Sequence, residues 1–172
     1  MFRLFFLATF AATAALFFAA CSPTPDPRTA PVSAATSDDF AAWKNAAYEK
    51  FSPDERNEFD YCINQIRLRI SMNNEASGDA AIAQALCERV NGKTMREIMI
   101  MAYTSEGEWV AKELARQSDA LARADAILDG PGSDDSKVNT RALRVALANI
   151  VSNLEKRQAK AQARLKELQD EK

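Results

Sequence analysis

Histidine is absent from this 172-residue chain. Its absence removes the imidazole on which the usual hydrolytic triads, histidine-based metal centres and proton shuttles near neutral pH depend. Five scattered glycines form no phosphate-cradling loop, and no basic patch is interleaved with aromatics, so no nucleic-acid partner is expected. Runs of β-branched residues are missing too. Ala, Leu, Glu, Lys, Arg and Gln dominate the chain beyond its first 37 residues, a composition that favours helices throughout. Four of the six prolines fall within residues 22 to 37, and the net charge of −2 points to no class of partner.

The N-terminus is a different kind of sequence. A single cation, Arg3, precedes an unbroken apolar run from Leu4 to Ala20, and Cys21 follows it, the layout of an export signal. Phe18, Ala19, Ala20 and Cys21 resemble the lipobox of bacterial lipoproteins, departing from it at Phe18, where that family prefers Leu. The resemblance covers residues 1 to 21. It implies a signal peptide over 1–20, a mature chain starting at an acylated Cys21, a membrane lipid anchor and, with Ser22 next, placement at the outer membrane facing the periplasm. An ordinary secretory signal fits less well, because a small residue is needed where Phe18 stands. An uncleaved span fits less well too, because about 17 apolar residues sit at the lower limit of the ~17–25 that cross a bilayer.

Residues 21–37 read as the lipidated cysteine and a tether. The stretch SPTPDPRTAPVSAATS has no large apolar residue except Val32, so it is expected to stay extended and disordered. At ~3.1 Å per residue it would hold the folded part on the order of 50 Å from the lipid.

Residues 38–172 are expected to form a single all-α domain, a bundle of about five helices ending in a long antiparallel hairpin. The first helix starts at Ser37, with Asp38 and Asp39 in its first turn and Phe40, Trp43, Ala47 and Phe51 on one face. Ser52, Pro53 and Glu55 combine a capping serine, a proline at the first helical position and the Glu of a capping box. Phe59, Cys62, Ile63, Ile66 and Ile70 then form a stripe. A third helix carries Ile82, Leu86 and Val90 and stops at Asn91-Gly92. Thr94 and Glu97 open the next, whose residues 98 to 103 are apolar on all sides and so belong in the middle of the bundle. Ser105, Gly107 and Glu108 mark a bend or a fresh start. Val110, Leu114, Leu121, Ala124 and Leu128 on one rod, and Leu143, Leu147, Ile150, Leu154, Ala161 and Leu168 on the other, give matching heptad stripes about the turn at 129–132.

Cys62 and Cys87 face into the hairpin of the second and third helices, within about one turn of the same height. In an exported protein this favours a disulfide, worth roughly 3 kcal/mol for a loop of this size; two buried free thiols are the plainer alternative. With no CxxC pair and no histidine, neither redox chemistry nor a metal site is expected, and no cofactor is implied. Met95, Met99 and Met101 belong to the core or to a groove for partner helices. Lys156, Arg157, Lys160 and Arg164 lie near the end of the last helix, where the apolar stripe thins. They are the candidate partner-binding residues if that end projects, for an acidic helix, lipopolysaccharide phosphates or a second copy; otherwise they are a solvated face. The acidic pairs Asp38/Asp39, Asp54/Glu55 and Asp134/Asp135 all sit at helix starts, where the helix dipole accounts for them.

The functional expectation is therefore a non-enzyme: a lipid-anchored, periplasm-facing accessory or assembly factor with an envelope protein as partner, and self-association possible. The alternative is an inhibitor or regulator that binds through the Cys62/Cys87 hairpin. A carboxylate-dependent hydrolase would need two acids facing across a cleft.

Overall fold

The computed structural model describes residues 26–131 and 134–170, and among these it contains five helices and no strand: α1 (Ser37–Tyr48), α2 (Pro53–Met72), α3 (Asp79–Val90), α4 (Met95–Asp129) and α5 (Asp134–Asp170). Cys21 and the apolar run before it lie outside the described residues.

The helix starts follow their capping chemistry. Ser52 accepts from the Glu55 amide while the Glu55 carboxylate accepts from the Ser52 amide, with Pro53 opening α2. Thr94 and Glu97 do the same for α4. At α1 the cap moves one residue back, because Thr36 closes a capping box with Asp39 that Ser37 cannot make. The break after α3 needs a left-handed residue, and Gly92 supplies it at φ +75°. Gly107 interrupts nothing: α4 runs as one helix through Ser105, Gly107 and Glu108.

Phe59, Ile70, Val90 and Ile98 are fully buried and centre the core. Phe40, Trp43, Phe51 and Phe59 form a chain of ring contacts with centroids 5.7–6.5 Å apart, packing α1 and the loop after it onto α2. Met95 and Met99 are buried within the core, so they offer no partner groove.

The hairpin of α4 and α5 closes along its whole length. Arg144 pairs with Asp125 at 2.5 Å, Arg157 with Glu106 at 2.6 Å, and Arg96 donates to the Leu168 carbonyl at 2.7 Å, in antiparallel order. Leu147, Leu154, Ala161 and Leu168, one heptad apart, are all buried. The end of α5 thus docks rather than projects. Leu143 and Ile150 depart from the expected seam, being 54% and 42% exposed.

The tether expectation is also corrected over its second half. Val32 is 2% exposed; its amide donates to the Lys93 carbonyl at 2.7 Å, and its carbonyl accepts from the Gly92 amide at 2.9 Å. The Ala34 amide donates to Asn91 Oδ1. Arg28 grips Glu55 through two nitrogens, donates to the Lys50 carbonyl and lies over the Phe51 ring. One buried valine and a few directional bonds suffice to dock a segment whose prolines already limit its unfolded freedom.

Candidate functional site

Two short sequence patterns build the most polar interior of the molecule. Glu58 and Tyr61 are three residues apart on α2, and Tyr103 and Glu106 are three apart on α4, so each pair shares a helix face. Where the helices meet, the pairs cross. Tyr103 donates to Glu58 at 3.0 Å and Tyr61 donates to Glu106 at 2.6 Å.

α5 completes both carboxylates. Arg164 binds Glu58 through two nitrogens, at 2.6 and 3.1 Å, the forked geometry that suits a guanidinium. Arg157 donates to Glu106 at 2.6 Å and to Gln65 at 3.4 Å. Arg157 and Arg69 both also lie over the Trp109 ring, at 5.4 and 4.7 Å. Two tyrosine–carboxylate–arginine clusters therefore tie α2, α4 and α5 together.

The balance of charge is incomplete at the centre. Glu106 is 2% exposed, and among the described residues its Oε2 has no hydrogen-bond partner, nor has Nε of the buried Arg69. Burial, aided by the Glu106 carboxylate, pushes the Tyr61 hydroxyl up to about 12. Burial next to Cys62 and Glu58 pushes the Tyr103 hydroxyl above its ordinary range.

These clusters line a cavity of about 1020 Å³ between α2 and α5, with Tyr103 and Glu106 of α4 contributing. Of the four expected partner-binding residues, the structure brings all to this cavity but divides their roles. Arg157 and Arg164 are bound to the chain's own carboxylates and are corrected from docking to structural groups. Lys156 and Lys160 are exposed on the cavity rim and have no hydrogen-bond or ion-pair partner among the described residues. Asp54 and Glu167 also line it, and Glu167 pairs with Arg164 at 2.9 Å. Glu58 and Glu106, each engaged by an arginine and a tyrosine of this chain, form ion-paired clusters rather than two acids facing across a cleft.

The expected disulfide is corrected too: Cys62 and Cys87 are buried free thiols. They look toward different neighbours. Cys62 interacts with Tyr103 of α4, whereas Cys87 Sγ lies 3.8 Å from the Ser37 hydroxyl of α1. Burial, with Glu58 and Glu106 nearby, pushes the Cys62 thiol up to about 12.

The Glu-x-x-Tyr and Tyr-x-x-Glu patterns were the sequence signal for this site, and Arg157 and Arg164 the signal for its third side. Among the described residues no group of acids or thiols could hold a metal ion, and no helix is long and apolar enough to cross a membrane. Comparison with protein-family models, curated proteins and solved structures finds no match for this chain.

Proposed function

We propose that this chain is a lipid-anchored protein of the bacterial cell envelope that works by binding, presenting the cavity between α2 and α5 to an acidic protein segment. The observation that carries the binding reading is the division of the cations: Arg157 and Arg164 are engaged by the chain's own carboxylates, while Lys156 and Lys160, one helical turn apart beside Tyr61 and Tyr103, have no partner among the described residues. Two such ammonium groups at ~5–6 Å spacing suit a carboxylate pair on a partner helix. The docked N-terminal segment supports placement close to the membrane. Cys21 lies five peptide steps from Asp26, where the described chain begins, a reach of at most ~18 Å. An acyl anchor at Cys21 then holds the cavity near the lipid headgroups rather than ~50 Å away.

The test has two arms. Palmitate labelling in cells should mark the wild type and not Cys21→Ala; an unlabelled wild type removes the anchor. Photo-crosslinking probes at Asn57 and Ala163, on opposite walls of the cavity, should capture one discrete envelope protein, with Met99 as the buried control. Capture should vanish in Lys156→Glu/Lys160→Glu. Capture that survives the double reversal would remove the lysines from the interface.

A further inference from the structure

Residues 26–36 run over the folded chain as a strap that is held at few points. Pro27, Val32 and Ala34 are buried, and the other residues of the segment are exposed or half-buried. Three of its residues carry the bonds to the rest of the fold. Arg28 binds Glu55 and the Lys50 carbonyl and covers the Phe51 ring. Val32 exchanges two main-chain bonds with Gly92 and Lys93, and the Ala34 amide donates to Asn91 Oδ1. Apart from Glu55, all these partners lie in the connections before α2 and before α4.

The helices do not depend on this strap for their ends. α1, α2 and α4 are capped by Thr36/Asp39, Ser52/Glu55 and Thr94/Glu97, none of which uses residues 26–35. Removing the strap returns the Gly92 amide and the Lys93 carbonyl to water in a turn that is already exposed at Gly92. Its grips also come in order along the chain. A pull from the N-terminal side loads Arg28 first, and the Arg28 and Glu55 side chains are 41% and 33% exposed, so salt screens their pair. Val32 is loaded next, then Ala34, and the capping box at Thr36 stops the peeling. Length is stored as well, because the Thr29 and Ala30 amides fold back onto the Asp26 carbonyl.

We propose that residues 26–35 are a releasable strap that sets how far the folded chain stands from an anchor at Cys21. Docked, the strap leaves five peptide steps between Cys21 and Asp26, a reach of at most ~18 Å. Peeled back to Thr36, it leaves fifteen steps, which extend to about 50 Å. The load that releases it comes from a partner held in the α2/α5 cavity farther from the membrane than the docked strap allows. Asp54 of the cavity wall adjoins Glu55, the strap's first grip, so cavity and strap meet at the start of α2. The change of reach rests on the proposed lipid anchor; the opening of the strap does not.

The opening is read by hydrogen exchange of the full chain in dodecyl maltoside, at urea concentrations below the unfolding transition. The Val32 and Ala34 amides should exchange through an opening nearly independent of urea, while the Ile98 amide of α4 exchanges only with global unfolding. Arg28→Ala should speed Val32 exchange about tenfold and keep it independent of urea. Val32→Asp, which cannot seat in a buried position, should abolish docking with helix content retained and Ile98 still protected. The reach is read in liposomes by energy transfer from Trp43 and Trp109 to a dansyl-labelled lipid, which should fall at least ~twofold in Val32→Asp. Val32 exchange that follows the urea dependence of Ile98 overturns the inference, as does loss of Ile98 protection in Val32→Asp. Unchanged transfer from a strap that exchange shows to be open overturns the change of reach. A wild type that carries no palmitate removes the anchor and the reach with it, while exchange still decides whether the strap opens.

Discussion

Glu106 carries a negative charge into the interior with one oxygen unpartnered, so the stability of this region depends on the arginine beside it. Arg157→Ala leaves a buried carboxylate supported by Tyr61 alone, and a loss of about 2 kcal/mol is expected in urea unfolding. Arg116→Ala, which removes an exposed pair within α4, should change stability by less than about 0.5 kcal/mol. The N-terminal clasp has a pH signature. Arg28, followed by the Ser52 amide, lowers the Glu55 carboxyl to about 2 from an ordinary 4.5. A depressed folded-state value means the contribution is complete above pH 4.5 and is lost as pH falls toward 2. Exchange of the Val32 amide should accelerate through that window, and Glu55→Gln should weaken docking at neutral pH and flatten the change. Cys62 works in the opposite direction: its thiol ordinarily titrates near 9.0 and is raised to about 12, so its contribution to folding is lost as pH rises from 9 to 12. Iodoacetamide should leave Cys62 unmodified at pH 8 until urea unfolds the chain.

Each helix has a different reason to exist. α2 and α4 have reciprocal capping boxes and strong apolar stripes, which is why their starts agree with expectation to the residue. α5 lacks such a stripe in its final third, where Arg157 and Arg164 interrupt it, and the sequence alone left docking and projection both open. Docking follows from partners on other helices, Glu58 and Glu106, between 51 and 106 residues away in the chain. Gly107 offers a test of α4 as one continuous helix. A Cβ placed there meets no atom within 4 Å, so Gly107→Ala should stabilise by about 0.5–1 kcal/mol through helix propensity. A loss of stability would mean that α4 bends at Gly107.

The molecule as a whole is a short bundle with a long hairpin extending from it, and the end of α5 belongs to the bundle. Ala161 and Leu168 lie in the core cluster with Phe59 and Ile98. Leu168→Ala should cost about 2–5 kcal/mol, and deletion of residues 155–172 should abolish cooperative urea unfolding rather than release a dispensable tail. The same layout separates two surfaces: the lysine-rimmed cavity near the chain's entry into the fold, and the exposed aliphatic flank on the distal hairpin.

Local chemistry alone determined the helices, their order, most of their boundaries and the apolar faces of α1 to α3, because capping, proline position and 3.6-residue periodicity act within a few residues of one another. Four matters were decided only in three dimensions. Val32, the lone large apolar residue among prolines, became the peg that docks residues 26–36. Cys62 and Cys87 turned toward different helices. Arg157 and Arg164 found carboxylates on α2 and α4. Leu143 and Ile150, placed on the seam by heptad spacing, were left beside it, because two helices bury only a narrow stripe and α2 ends before it reaches them.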